Sequence, residues 1–232
     1  MTSRTCPDSD DASVEKKVFH LAVQQQYANT DFGEPTTKLR QCVLEAVKRR
    51  DYRHAIAILN RLLASHPNSA MDYSNRGLVY LWSGQPHKAL KDFNRAIALN
   101  PSLASSYNNR ANYYASRGAR ESAIADYDQA IDLNPFHVRA RINRAVTLRE
   151  LQRYDAALDG FEEALVFRQL TCEIYAERGR TYHLRGDWNG AIADYHRALN
   201  CLTAPNQEKT VTVHPRWQQV MIWLRQLQAT TV

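Results

Sequence analysis

Glycine and proline are scarce, eight of each in 232 residues, which excludes collagen-like and low-complexity chains and leaves room for long helices. The four cysteines, Cys6, Cys42, Cys172 and Cys201, stand far apart with no C-x-x-C pair. Neither a zinc knuckle nor a thioredoxin-like motif is supported, and reduced, structural thiols are expected. No stretch approaches the roughly 18 consecutive apolar residues of a membrane span. The N-terminus is acidic and polar where a secretory signal would be basic and then apolar, so a cytosolic protein is the expectation. Also missing are a Gly-rich phosphate loop, G-x-S-x-G, H-E-x-x-H and any cluster of Asp and His at ligand spacing. No catalytic residue, metal site or cofactor is therefore expected. The eight histidines, His54, His87, His137 and His183 among them, are scattered and read as surface residues.

The charge is unevenly spread. Formal net charge is +6, yet the first 35 residues carry Arg4, Lys16 and Lys17 against six carboxylates, a net −3 that leaves +9 on the remainder. Such an excess favours acidic partners and keeps nucleic-acid binding by a basic helical array as the rival reading. Solvated Lys and Arg on helix faces produce the same number without any function.

What the chain does contain is a period. Ala55, Ala89, Ala123, Ala157 and Ala191 recur every 34 residues. A large side chain follows each four positions on (Leu59, Phe93, Tyr127, Phe161, Tyr195), and Leu62, Ala96, Ala130, Ala164 and Ala198 come three later. Upstream, Tyr73, Tyr107, Arg141 and Tyr175 precede the small residues Gly77, Ala111, Ala145 and Gly179, then Tyr80, Tyr114, Leu148 and Tyr182. Pro67, Pro101 and Pro135 close three of the units. Small residues at Gly77 and Ala89, or Gly179 and Ala191, allow two antiparallel helices to approach closely. The aromatics then fill the space towards the next pair. Gly84, Gly118 and Gly186 suit a left-handed helix cap, and the residue before each proline is steered out of helix.

These residues resemble the tetratricopeptide-repeat family, whose signature is an aromatic, a small residue, Tyr, Ala, Phe, Ala and a closing Pro. The resemblance implies an all-α, right-handed superhelical solenoid of five helix-turn-helix repeats, 36–69, 70–103, 104–137, 138–171 and 172–205. No single pair buries its apolar face alone, so the ends need covering. The first repeat departs from the pattern with Leu39, Val43 and Ala46, and the fourth has Gln169 in place of the closing proline. Beyond the fifth, 206–232 reads as a loop and a capping helix with the stripe Trp217, Val220, Met221, Leu224 and Leu227, from which Trp223 points away. The extension 1–35 divides into a disordered acidic start and a short helix within 14–27 that packs on the first repeat or folds back into the groove.

In the family the first helix of each pair lines a concave groove that holds an extended peptide or a partner helix. Carried over, the resemblance implies a peptide-binding wall of Asn75, Leu78, Trp82, Asn108, Asn109, Asn112, Arg139, Asn143, Arg149, Glu177 and Arg180. Asn75, Asn109 and Asn143, continued by Glu177, form a ladder at the repeat spacing. Amides that donate and accept at once suit a peptide backbone, although asparagines that merely solvate the groove are the plainer alternative. The residue set with which some members clamp a chaperone's C-terminal carboxylate is incomplete here. A second ladder, Arg76, Arg110, Arg144 and Arg178, faces Asp92, Asp126 and Asp194 on the second helices and is expected to pair with them. Gly160 interrupts the acidic column, which leaves Arg144 freer. The expected function is a non-catalytic adaptor, scaffold or assembly factor for a protein partner, with nucleic acid disfavoured. The "NRG/NRA" and "DYxxAI" segments resemble repeat proteins of bacteria and photosynthetic organelles, some of which assemble membrane complexes. A bacterial origin and association with such a complex through a protein partner are the corresponding expectations.

Overall fold

The repeat spacing translates directly into helices in the computed structural model, which describes residues 34–202 and 215–230. In chain order these are α1 (Glu34–Lys48), α2 (Tyr52–Ser65), α3 (Ala70–Trp82), α4 (Pro86–Leu99), α5 (Ala104–Ser116), α6 (Arg120–Leu133), α7 (Val138–Glu150), α8 (Tyr154–Leu165), α9 (Thr171–Arg185), α10 (Trp188–Leu202) and α11 (Pro215–Thr230). They stack as five hairpins, α1/α2 to α9/α10, each packed on the next, with α11 against the last. No strand occurs among the described residues, and no helix among them is long and apolar enough to cross a membrane. The readings made for residues 1–33 and for the loop 203–214 lie outside the described residues.

Each first helix ends in the same way. The residue fifteen places into each repeat has positive φ: Arg50 (60°), Gly84 (75°), Gly118 (76°), Gln152 (60°) and Gly186 (88°). The amide after it donates back five residues, as in Gln85 N–H to the Tyr80 carbonyl (2.8 Å) and Arg153 N–H to the Leu148 carbonyl (3.0 Å). This bond closes the helix and turns the chain into its partner. A Cβ at Gly84 or Gly186 would meet nothing within 4 Å, so Arg50 and Gln152 are opposed by backbone strain rather than by crowding. Gln152→Gly is expected to stabilise the protein by about 1 kcal/mol, the strain relieved minus glycine's entropy. Thermal unfolding would register this as a rise of about 2–4 °C.

The second helices α4 and α6 end on an asparagine that the following proline holds extended, Asn100 (φ −142°) and Asn134 (φ −141°). Each side-chain carbonyl accepts the N–H two residues on, from Ser102 and Phe136, at 3.0 Å. The fourth hairpin, without that proline, leaves α8 through two left-handed residues, Arg168 and Leu170.

The core runs along the stack. Ala55, Ala89, Ala123, Ala157 and Ala191 are fully buried, as are Leu59, Phe93, Phe161 and Tyr195, and Tyr127 nearly so. At the C-terminal end Val220, Leu224 and Leu227 pack on Ala191, Tyr195 and Ala198 and so cap the array. Trp223 does not point away as the stripe implied. Its ring stacks on Tyr195 at 5.8 Å, because α11 also rests against α9 and presents more than one face.

One cap depends on protonation. The Nδ1 atom of His137 accepts the Ala140 N–H (3.2 Å) at the start of α7, which requires a neutral imidazole. Burial, assisted by the charge of Arg139, holds its pKa down at about 4 against an ordinary 6.5. Between those values the unfolded chain binds the extra proton, so stability falls as pH drops through this window. His137→Asn retains a capping acceptor without a titratable ring. Urea unfolding at pH 7 and pH 4.5 is expected to show the variant losing less stability than the parent, by up to about 2 kcal/mol.

Candidate partner-binding wall

The first helices α3, α5, α7 and α9 lie side by side and form one layer of the stack. Polar side chains cross every seam of this layer. Arg40 on α1 reaches Asp72 on α3 with two hydrogen bonds, 2.8 and 3.2 Å, both side chains almost wholly buried. Asn109 Nδ2 donates to Ser74 Oγ (3.0 Å) and Asn108 Nδ2 to Asn109 Oδ1 (3.3 Å). Asn143 Nδ2 donates to Asn112 Oδ1 (3.0 Å), which also receives the Tyr127 hydroxyl (2.6 Å). Arg139 pairs with Glu173, and Arg149 with the carboxylate (2.7 Å) and main-chain carbonyl (3.1 Å) of Glu177.

Asn143 Nδ2 also donates to Asn108 Oδ1 (3.4 Å), so Asn108, Asn109, Asn112 and Asn143 are joined in one amide network, and the separate pairs Arg139–Glu173 and Arg149–Glu177 cross the next seam to α9. Asn75 is fully buried and Leu78 belongs to the apolar core. Trp82 sits 6.5 Å from Tyr52 and, with Arg50 and Arg53, lines an open pocket of about 650 Å³ at the end of α3. Arg180 turns to the cap, its guanidinium 5.2 Å from the Trp223 ring. The amides thus already hold one another, because residues one repeat apart on adjacent first helices come within hydrogen-bonding reach. Sequence reasoning missed the Arg40–Asp72 pair. Asp72 sits two residues into the next repeat's first helix, and that offset was the missed signal.

The second ladder pairs as expected, with one correction. Arg76 grips Asp92 in its own hairpin (2.7 and 2.8 Å) and Asn60 in the preceding one (2.8 Å). Arg110 repeats this with Asp126 and Asn94, and Arg178 with Asp194 and Glu162. Each guanidinium lies between two tyrosine rings, Tyr73 and Tyr80, Tyr107 and Tyr114, or Tyr175 and Tyr182, at 5.3–5.9 Å. The hydrogen bond to the facing aspartate raises the pKa of Arg76 and Arg110. At Arg178 burial is the strongest influence and acts to lower it, but Asp194, Glu162 and Tyr182 together turn the net direction upward. Arg144 is not free: it pairs with Asp128 of the preceding hairpin at 2.6 Å. The fourth hairpin has lost the whole cradle together, with Arg141, Leu148 and Gly160 where the second, third and fifth have two tyrosines and an aspartate. Arg141 instead pairs with Glu163 (3.0 Å) and covers Phe167 (5.3 Å).

Stacked hairpins of this period, closed by left-handed caps and a terminal helix, define a helical-repeat solenoid. Two family models described as tetratricopeptide repeat match residues 45–111 and 108–170, and the chain belongs to the tetratricopeptide-repeat family. Among solved structures it is similar to PilW, described as a widely conserved type IV pilus biogenesis factor, at 20% identity and TM-score 0.68, over 86% of this chain and 95% of that one. It is also similar to TTC0263, a thermophilic TPR protein of Thermus thermophilus, at 20% identity and TM-score 0.67, over 81% and 99%. The MamA protein aligns at 20% identity and TM-score 0.60, over 79% of this chain and 100% of that one. No curated protein matches the chain significantly.

Proposed function

We propose that the protein is a non-catalytic adaptor or assembly factor that holds a partner polypeptide, as an extended segment or a helix, against the wall of first helices. The observation that carries this reading is the polar network crossing the seams of α3, α5, α7 and α9. The amides and paired charges bind one another across the seams and so hold the first helices in one continuous face on which a polypeptide can lie. The wall residues in this reading are Asn75, Leu78, Trp82, Asn108, Asn109, Asn112, Arg139, Asn143, Arg149, Glu177 and Arg180. Because Arg139 and Arg149 are balanced by Glu173 and Glu177, the wall suits a partner of little net charge. PilW's description as a biogenesis factor agrees with an assembly role, here in the bacterial cytoplasm and with a membrane complex reached through a protein partner. Nucleic acid is the weaker reading, since Arg76, Arg110, Arg144, Arg149 and Arg178 are all engaged in ion pairs.

The test compares partners retained from native extract by the parent protein and by Asn109→Ala/Asn143→Ala. Circular dichroism and thermal unfolding would first establish that the variant keeps its fold at the working temperature. Loss of specific partners by the folded variant is the expected result. Recovery of the same proteins in equal amounts would remove the amides from binding, and strongly salt-dependent RNA binding by the parent would favour the rival.

A further inference from the structure

Cys172 and Cys201 are distant in sequence but neighbours in space. Cys172 begins the fifth hairpin in the first turn of α9, and Cys201 lies in the last turn of α10, 29 positions later. In antiparallel helices these two ends meet. The equivalent residues 34 positions earlier, Val138 and Phe167, belong to one apolar cluster in the fourth hairpin. At the fifth hairpin two thiols occupy the place of that apolar pair. Both cysteines are free and partly accessible, and their side chains are close enough to interact.

We infer that Cys172 and Cys201 form a reversible intramolecular disulfide, installed by a low-molecular-weight disulfide and removed by a thiol. Burial and the contact with Cys201 push the Cys172 thiol up to about 11, and Cys201, in the last turn of α10, opens the reaction. Its thiolate attacks one sulfur of the external disulfide, forming a mixed disulfide and expelling one thiolate. Cys172 then gives its proton to solvent and attacks the Cys201 sulfur, expelling the second thiolate. Two protein thiols are oxidised by two electrons, and one external disulfide is reduced to two thiols. The bond ties the first turn of α9 to the last turn of α10. Glu173, which pairs with Arg139 across the wall, follows Cys172 directly, so oxidation also fixes the wall at its C-terminal end. The inference stands apart from the proposed partner binding.

The experiment uses the full chain carrying Cys6→Ser and Cys42→Ser, equilibrated with oxidised glutathione and read by intact-mass and peptide mass spectrometry. The expected product is a monomer two hydrogens lighter with the Cys172 and Cys201 peptides linked. Its thermal midpoint should rise by roughly 5–10 °C and return on reduction. Adding Cys172→Ser should make the mixed disulfide at Cys201 accumulate. Persistent glutathione adducts on the intact pair, disulfide-linked dimers, or two unreacted thiols would each overturn the inference.

Discussion

Asp194→Ala is expected to destabilise the protein by about 3–5 kcal/mol, the range for stripping the partner from a buried ion pair. The aspartate side chain is 1% exposed and accepts hydrogen bonds from Arg178 (2.6 and 3.0 Å) and from Arg197 (2.8 Å). Without it the Arg178 guanidinium stays enclosed between Tyr175 and Tyr182, with only Glu162, itself 74% exposed, to answer its charge. Asp126→Ala should cost less, because the side chains of the Arg110–Asp126 pair are 21% and 11% exposed and water can take up part of the loss. Asp128→Ala, on the exposed pair with Arg144, should cost under about 1 kcal/mol. Denaturant unfolding of the three variants should rank them in that order. Stability of Asp126→Ala and Asp194→Ala equal to the parent would mean that the arginine column does not hold the hairpins together.

Gly77→Ala is expected to cost about 2–3 kcal/mol, although alanine is the better helix former by nearly 1 kcal/mol. A Cβ at this position would sit 2.6 and 2.7 Å from two ring carbons of Phe93 and 3.2 Å from the Ala89 carbonyl oxygen. Phe93 is fully buried, so its ring has nowhere to retreat without opening the seam between α3 and α4. Gly179 faces Tyr195 in the same way, at 2.8 Å, and its alanine variant should behave alike. Ala111 and Ala145 show that a methyl is accepted where the hairpin was built around it. A Gly77→Ala/Phe93→Leu double variant should therefore recover part of the loss. Thermal unfolding of the two singles and the double is the measurement, and a Gly77→Ala protein as stable as its parent would contradict the close approach.

The period made most of the fold legible. Small residues, aromatics and glycine caps recurring every 34 residues specify which faces are buried and where the chain turns, because both follow from local geometry. The Arg–Asp columns were legible for the same reason: two columns of opposite charge at constant offset can satisfy each other in every repeat. The wall was less legible. Equal spacing places Asn109 and Asn143 on one face, but a rotation of one helical position decides whether an amide meets solvent or the neighbouring helix. Packing between hairpins sets that rotation, and it buries Asn108 and Asn109 to within 6% of complete enclosure. Trp223 escaped for a related reason, since periodicity describes the helix that carries it but not the angle at which α11 docks. Arg144 was misjudged because only the acid of its own hairpin was sought, while Asp128 reaches it from the hairpin before.

The arginine clasps span equal distances in both directions. Arg76 reaches sixteen residues back to Asn60 and sixteen forward to Asp92, and Arg110 and Arg178 repeat the same reach. Interactions of such short range cost little loop-closure entropy, which favours rapid folding. A hairpin leaving the ribosome thus finds the hairpin before it already in place to dock against, and order can advance along the nascent chain without waiting for its far end.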